Sequence, residues 1–476
     1  MKVRHLRQSR QLSFAELAHE TGMSVSYLNE IEKGKKYPKD DKISILANAL
    51  QTTEADLLSI DLPAALAPVE DLLQSNFLNE IPLHLFGIDM AKVIEIIADA
   101  PMRVSAFIST LLDLSRNYAL REENFYFGAL RSYLELNNNH FDDLEEAVRQ
   151  FSKKNNVSVG HAVTSNFLAG ILEKKYDYKI VENGLLRYEA LQNLRAVFVP
   201  KTRELLLNSH LSEEQRVFQF GKELGFNVLN LQERAYTSSL LKVQTFEEAL
   251  NHFKAGYFSA ALLINKENFV KDIDTFLKKT TWDGAFLVAL LQKYRVTPET
   301  LFQRLTNVLP HHFGVDKLFF LRVIQHKKSG KFDLNKELHL NRRHHPHRNS
   351  LDEHYCRRWI SVTLLKEFTQ VDEINNIKFG IQRSKYFGTD DEYVCLTLAR
   401  AGAKRNVSVT IGIMVDNDVR KKIAFLNDPA IPTRLVNTTC ERCAMTDCTE
   451  RAIEPTIIKK RNERQQMQAA LKEILD

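Results

Sequence analysis

The chain has 476 residues, with 65 lysines and arginines against 60 aspartates and glutamates and a formal net charge of +5. This length is too great for one hydrophobic core, so we expect roughly two to four domains. The near balance of charge excludes a surface that attracts nucleic acid everywhere. The first residues are charged, and no segment approaches ~18 consecutive apolar residues, so we expect neither a signal peptide nor a membrane span. A cytoplasmic protein without a disulfide framework is predicted, because the whole chain holds only five cysteines.

Residues 13–34 contain two short helical patterns that meet at a glycine. Ser13 and Glu16 have the spacing of a capping box that starts the first helix, and Gly22 ends it. In the second pattern Leu28 and Ile31 lie three residues apart and face inward, which leaves polar side chains outside. Two helices joined by a tight turn predict a helix-turn-helix, whose second helix fits the major groove of DNA. An ordinary helical hairpin is the alternative.

Basic side chains flank this helix pair and favour DNA binding, because cations bind phosphates. They are Arg4, Arg7 and Arg10 before it and Lys33, Lys35, Lys36 and Lys39 after it. With the segment SYLNEIEKGKKYP, residues 1–60 resemble the Cro/repressor type of helix-turn-helix. The resemblance implies two sets of DNA contacts. Base edges are expected to meet Ser24, Ser26, Tyr27 and Asn29, and phosphates to meet Lys33, Lys35 and Lys36.

The rest of the chain changes its pattern several times. Two prolines in residues 61–80 indicate a linker. Apolar residues at spacings of three and four predict helices from about 81 to 175. Short runs such as YKIVENG and RAVFVPKTRELLLNS then predict a small sheet, and a capping box at Ser212 and Gln215 starts another helix. Helices return from Thr245 to about Leu309, and the final third is predicted to be mainly strand.

These patterns predict an α+β multidomain protein. An all-α helix-turn-helix head occupies residues 1–60, and the linker occupies 61–80. We expect a mainly helical domain at 81–310, for which the motif and the resemblance given next imply a zincin-like scaffold that binds a ligand. A mixed, mainly β domain completes the chain at 311–476, and the cysteine motif given below implies that it is a regulatory domain with a metal or cluster site.

The segment LSEEQRVFQFGKELGFNVL has the layout of a zincin helix, whose H-E-x-x-H motif places two zinc-binding imidazoles one turn apart. Lys222 and Phe226 stand at the two histidine positions, and only the general base, Glu223, is retained. An ammonium and a phenyl ring cannot hold zinc, so we predict that the protein is not an enzyme. A regulator that cleaves itself or a partner through Glu223 is the enzymatic alternative.

The flanking segments FVPKTRELLLNSHLSEEQR and AGYFSAALLIN resemble the ImmA/IrrE metallopeptidase domain. In that domain the third zinc ligand is a glutamate on the later helix, and Lys254 lies where such an acid is expected. A concave cleft without its metal suits a small ligand. We expect Lys222 to contribute a cation and Tyr257 a hydroxyl to ligand binding there. An ordinary core tyrosine is the alternative for Tyr257.

Three cysteines lie close together in the segment TTCERCAMTDCTERAIEP, in a C-x2-C-x4-C pattern. They are Cys440, Cys443 and Cys448. Two-residue spacing lets thiolates converge on one ion or on two corners of a cluster, so we predict metal ligation; a redox-active thiol pair is the alternative. For the fourth ligand, Cys356 is preferred to Cys395, which alternates with apolar residues like a strand cysteine, and His354 is a third candidate. Four thiolates suit either zinc or an iron–sulfur cluster.

Together the three motifs resemble the short-chain fatty acyl transcriptional regulators of bacteria, a family that controls propionate, acetate and glyoxylate-shunt genes. The match follows the family's order from RYEALQNLRAVFVPKTRELLLNSHLSEEQRVFQ through LFQRLTNVLP and YCRRW to CERCAMTDCTERAIEP. The resemblance implies that the middle domain binds an acyl-coenzyme A and that the cysteines hold a 4Fe-4S cluster. A homodimer on a double-stranded operator is expected, because one recognition helix reads too few bases. A redox sensor in which the cluster is the signal is the alternative.

Overall fold

The structure is a computed structural model. It describes residues 2–59, 122–157, 162–238, 243–340, 353–368 and 376–475, and the single positions Leu85, Gly87 and Lys92. The predicted linker at 61–80 lies outside the described residues, as do most of the helices predicted between 81 and 121. The chain divides into two compact units, Met1–Leu130 with Lys242–Glu247 and Arg131–Leu241 with Glu248–Asp476.

Residues 2–59 form the helix-turn-helix head. Its five helices are α1 (Lys2–Ser9), α2 (Phe14–Thr21), α3 (Val25–Glu32), α4 (Asp40–Ala49) and α5 (Glu54–Leu58). Helix α2 begins at the predicted capping box, in which Ser13 Oγ accepts the Glu16 N–H and the Glu16 carboxylate accepts the Ser13 N–H. It ends at Gly22, whose φ of 66° lies in the left-handed region that favours glycine. Leu28 and Leu46 are buried in the core that joins α2, α3 and α4.

The segment from 122 to 228 combines helices with a small sheet. Its elements are α6 (Glu122–Leu136), α7 (Asp142–Lys154), α8 (Ser165–Tyr176), β1 (Lys179–Val181), β2 (Ala196–Val199), β3 (Glu204–Leu207) and α9 (Glu213–Val228). The sheet has the order β1-β3-β2, in which β3 pairs parallel with β1 and antiparallel with β2. Helix α9 starts at the capping box formed by Ser212 and Gln215. The predicted small sheet and capped helix are confirmed.

Four further helices follow, and the first of them packs closely on α9. They are α10 (Phe246–Leu263), α11 (Lys266–Leu277), α12 (Gly284–Tyr294) and α13 (Pro298–Phe313). A Cβ on Gly221 would lie 2.5 Å from Ser259 Oγ, and one on Gly225 would lie 3.0 Å from backbone atoms of Ala255. The two glycines therefore let α9 and α10 approach at short distance, and this contact fixes which face of α10 meets α9.

The last part of the chain is built on a six-stranded sheet. Its elements are β4 (Leu318–His326), β5 (Phe332–His339), α14 (Ile360–Lys366), β6 (Ile377–Tyr386), β7 (Glu392–Arg400), β8 (Arg405–Met414), α15 (Asn417–Lys422), β9 (Thr433–Val436) and α16 (Thr456–Leu475). The strand order is β5-β4-β8-β7-β6-β9, antiparallel except that β9 runs parallel to β6. The predicted mainly β character is confirmed, and the long helix α16 is an element that we did not predict.

The helices and the large sheet pack together. Helix α13 contacts β4 and β8, and α14 contacts β6, β7 and β8. The predicted domain boundary at 310/311 therefore falls inside one compact unit. None of the described helices is both long enough and apolar enough to cross a membrane.

Candidate functional site

Helix α3 carries the side chains predicted to contact bases. Ser24 is its N-cap residue, and Ser24 Oγ accepts the Tyr27 N–H at 3.2 Å. Ser26 is exposed, whereas Tyr27 and Asn29 are half-buried. The Lys36 ammonium lies 5.2 Å from the centroid of the Tyr27 ring, so the turn after α3 continues the polar surface of the helix. The lysines predicted to contact phosphates are all exposed there, namely Lys33, Lys35 and Lys36.

Two of the flanking arginines, Arg7 and Arg10, donate hydrogen bonds to other groups of the head. Arg7 is 8% exposed, and its guanidinium donates to both carboxylate oxygens of Glu32 at 2.7 and 3.0 Å. Arg10 donates to the carbonyl oxygen of Ala49. The expectation that Arg7 contacts phosphate is corrected, because packing of α1 on α3 commits its guanidinium to an internal ion pair.

Helix α9 keeps the zincin glutamate but pairs it with a cation of the protein. Glu223 is 2% exposed, and Arg234 Nη2 donates to its two oxygens at 2.8 and 3.0 Å. Tyr178 donates its hydroxyl to the same carboxylate at 3.1 Å, and burial raises the pKa of Tyr178 to about 12, so the hydroxyl keeps its proton. The Arg234 guanidinium lies 3.9 Å from the centroid of the Phe226 ring. Glu223, the residue that serves as general base in a peptidase, thus belongs to a buried ion pair here. The Arg234 guanidinium also covers Phe226 at the second histidine position.

Lys222 stands at the first histidine position and points its ammonium into the protein. Lys222 Nζ lies 3.0 and 3.1 Å from the two ring nitrogens of His252, and it donates to the Ser238 carbonyl at 3.1 Å. Burial lowers the pKa of Lys222 to about 7, and burial also lowers the pKa of His252 well below its usual value. With Lys222 and Phe226 at these positions, the residues present do not fit the zinc ion of a metallopeptidase.

The residue that meets Lys222 from α10 is His252, whereas the sequence analysis placed Lys254 at the third-ligand position. His252, Ala255 and Ser259 follow one another at spacings of three and four, so they share one face of the helix. The small side chains of Ala255 and Ser259 pack on the glycines of α9 and define that face. Lys254 is out of phase with it. Ala255 and Ser259, two small residues four positions apart, are the sequence signal for the face of α10 that packs on α9. His252 lies on that same face.

Tyr257 belongs to a different network. Its hydroxyl donates to Glu145 at 2.7 Å, and Glu145 forms a bidentate pair with Arg304 at 2.5 and 2.9 Å. Burial opposes ionisation of Glu145, but the Arg304 guanidinium outweighs it, and the pKa of Glu145 is lowered. Burial raises the pKa of Tyr257 above its ordinary value. The structure therefore does not bring together Lys222 and Tyr257, the two residues predicted to bind ligand.

A cavity of about 730 Å³ lies beside Glu145, between α7 and the end of α10. Its lining combines apolar side chains such as Val148 and Leu262 with the cations Lys153 and Lys266. Neither lysine makes an ion pair with a described residue, in contrast to Lys293 and Arg149 in the same lining, which pair with acids. The volume is that of a small-molecule site. Glu145 connects this cavity to Tyr257, whereas Lys222 does not line it.

The fold brings Cys356 next to the C-terminal cysteines. An antiparallel bridge pairs Tyr355 with Thr439, and the Cys440 N–H donates to the His354 carbonyl at 2.8 Å. Cys395, by contrast, lies inside β7, where burial raises the pKa of its thiol to about 12. The fold therefore places Cys356 beside the C-terminal cysteines, and its role as fourth ligand stays a prediction.

The surroundings of these thiols suit a bound metal or cluster. Cys356, Cys440 and Cys443 are buried, and Cys448 is half-buried. Burial raises the pKa of Cys356 to about 11, a cost that metal ligation would offset. The Ala452 N–H donates to Cys440 Sγ at 3.4 Å.

Comparison with known proteins agrees with two of the motifs. Residues 1–59 match the model of a helix-turn-helix domain, and residues 183–306 match that of the IrrE N-terminal-like domain. No curated protein matches the chain. A solved structure of a Mycobacterium tuberculosis transcriptional regulator aligns with a TM-score of 0.47 and 18% identity, over 69% of this chain and 93% of its own. The helix-turn-helix match defines the class: the chain is a DNA-binding transcriptional regulator that carries an IrrE-like domain.

Proposed function

We propose that this regulator controls genes of short-chain fatty acid metabolism, of the propionate, acetate or glyoxylate type, in response to an acyl-coenzyme A. The observation that carries the proposal is the combination, in one chain, of a DNA-binding head and a cavity of about 730 Å³ in the other unit. The chain acts as a homodimer on a double-stranded operator, since two recognition helices double the number of bases read.

The lining of the cavity holds four acids and four cations, and we infer an amphipathic anion as ligand from the two cations that have no acid partner in the described part of the chain. Lys153 and Lys266 are cations without an ion-pair partner among the described residues, so they are available to phosphate groups. Val148 and Leu262 supply an apolar wall for an acyl and pantetheine arm. A coenzyme A thioester combines these two kinds of surface in one molecule.

Signalling follows from differential affinity. The thioester binds more tightly to one arrangement of the dimer than to another, and operator affinity changes by the same factor. No peptide cleavage takes part, because Glu223 is held by Arg234 and Lys222 supplies no zinc ligand. Incubation with zinc is expected to yield no cleavage products of this chain.

Calorimetric titration of the full chain with propionyl- and acetyl-coenzyme A tests the ligand. We expect heat of binding with at least one thioester, and an affinity at least tenfold weaker in the double variant K153Q/K266Q. The matched control is K174Q/K201Q, which removes two exposed lysines that do not line the cavity. Absence of heat with both thioesters removes the ligand proposal.

The cysteines support a second candidate function. Cys356, Cys440, Cys443 and Cys448 would hold a 4Fe-4S cluster, which supplies a redox-responsive centre when bound. In that alternative the protein senses redox state and the cavity plays no part. Iron and sulfide analysis after anaerobic purification, with DNA binding measured before and after air exposure, discriminates between the two. A colourless protein with one zinc ion would indicate a structural site instead.

A further inference from the structure

Three histidines outside the sites described above converge on one point of the second unit. They are His140, His311 and His312, and they form the one group of three among the described residues whose ligand atoms all lie within 4.8 Å of one another. His140 precedes α7, and the other two end α13. The His140 ring stacks on that of His311 at 3.8 Å and meets that of His312 edge-on at 5.7 Å.

His140 is the fixed member of this group. Its side chain is 3% exposed, and its Nδ1 lies 3.1 Å from the Asn307 carbonyl. A carbonyl only accepts, so Nδ1 carries the proton and Nε2 is left with its lone pair. Asn307 Nδ2 donates to the Asn139 carbonyl and Asn139 Nδ2 donates to Thr306 Oγ1, both at 2.8 Å. These two hydrogen bonds hold Asn307 in place, and its carbonyl sets the orientation of the His140 ring, as the outer hydrogen bonds of metal-binding histidines do.

The second ring nitrogen faces another acceptor. His140 Nε2 lies 3.3 Å from Asp142 Oδ1, so two lone pairs point toward each other unless a cation lies between them. A nitrogen and an oxygen bound to one tetrahedral ion at 2.0–2.1 Å lie roughly 3.3–3.4 Å apart. A proton would satisfy this one pair only, whereas a metal ion also accounts for the two further imidazoles.

The other two histidines complete the set from the C-terminus of a helix. His311 and His312 occupy the last turn of α13, which ends at Gly314, and the negative end of the helix dipole favours a cation there. Both are exposed, so the His311 ring can leave the stacked position and aim at the ion within nanoseconds.

We propose that these residues bind one divalent transition metal ion of the zinc type. Three imidazoles and one carboxylate are the donor set that such ions prefer. The ligands are His140, His311, His312 and Asp142. The ion joins the start of α7 to the end of α13. Asp142 also lines the cavity, so the ion adds positive charge at its edge.

Cobalt titration of the chelator-treated full chain tests the site. Cobalt bound by thiolates gives an intense sulfur-to-metal absorption band, whereas cobalt held by imidazole and carboxylate gives only the weaker visible bands. We expect the wild type to bind one ion of the second kind. The double variant H311A/H312A is expected to bind it at least tenfold more weakly while keeping any thiolate-bound ion, and D142N is expected to bind it several-fold more weakly.

The control variant is H210A, which removes an exposed histidine from the loop before α9 and should titrate like the wild type. Because His311 and His312 are exposed, their replacement should leave the fold intact, and circular dichroism checks this. Equal cobalt affinity in the wild type and H311A/H312A would overturn the proposal. Loss of binding in H210A as well would also overturn it, since it would show general binding to surface histidines.

Discussion

At the residue scale, the IrrE-like scaffold has replaced its metal by side chains of its own. Lys222 and Arg234 bring two cations to the place where a peptidase would hold a zinc ion, and Glu223 is neutralised by the second of them. Phe226 turns the second ligand position into an aromatic face for the guanidinium. Side chains of the protein therefore occupy this centre, and Lys222 is the one of the two cations that has no carboxylate partner there among the described residues.

Replacement of Arg234 should show how much a buried, unpaired Glu223 carboxylate destabilises the folded protein. R234L leaves Glu223 buried without its cation, and we expect the free energy of unfolding to fall by about 3–5 kcal/mol. The matched control is R216L, which breaks the more exposed ion pair with Glu182 and should cost at most about 1 kcal/mol. Urea denaturation measures both. Similar losses in the two variants would contradict the buried pairing.

The lowered pKa of Lys222 predicts a pH dependence of stability. Its pKa falls from 10.5 in the unfolded chain to about 7 in the folded protein, so between these values the unfolded state binds more protons. Stability should therefore rise with pH across that window, by at most about 1.4 kcal/mol per pH unit. K222M removes this contribution. Urea denaturation between pH 6 and 10 should give a flatter profile for K222M than for the wild type, and parallel profiles would refute the assignment.

At the element scale, close contact between α9 and α10 forms the site. G225A puts a Cβ 3.0 Å from backbone atoms of Ala255, and we expect overpacking to cost about 1–3 kcal/mol. Gly170 in α8 is the matched control, because its Cβ would meet nothing within 4 Å. G170A should stabilise the protein by about 0.5–1 kcal/mol, since alanine favours a helix. Thermal unfolding should move in opposite directions for the two variants; a shared sign would argue against close helix packing.

A separate prediction concerns how DNA binding by the head depends on salt concentration. K35Q/K36Q should weaken DNA binding and reduce the slope of log affinity against log salt by about 0.9 for each phosphate that the variant no longer neutralises. K327Q/K328Q is the control, because these exposed lysines lie in the turn between β4 and β5, outside the head. Fluorescence anisotropy at several salt concentrations measures both slopes. An unchanged slope in K35Q/K36Q would show that these lysines do not bind phosphates.

At the scale of the whole molecule, coupling between ligand and DNA must be reciprocal. If a coenzyme A thioester changes affinity for the promoter beside the protein's own gene by some factor, that DNA must change thioester affinity by the same factor. We expect a factor of roughly 5–150. Anisotropy with and without thioester, and calorimetry with and without DNA, give the two values. K153Q/K266Q should lose both effects together, and an effect in one direction only would exclude the mechanism.

Much of this architecture follows from local patterns. The capping boxes at Ser13 and Ser212 and the turn at Gly22 depend on neighbouring residues, so the sequence predicts them correctly. The alternating runs predict the large sheet for the same reason. The helix α16 escaped prediction because none of its residues is buried, and it therefore lacks a clear apolar period. The buried pair of Arg7 and Glu32 spans 25 residues and has no local signal.

The amino-acid sequence by itself determined the class of the protein, its DNA-binding head and the loss of zinc ligands at Lys222 and Phe226, because each depends on residue types at fixed local spacing. Only the tertiary structure decided what fills that centre, since Arg234 and His252 reach it from other segments. It also separated Tyr257 from Lys222. Contacts between distant segments depend on how helices pack, and packing distances such as those of α9 on α10 cannot be obtained from periodicity alone.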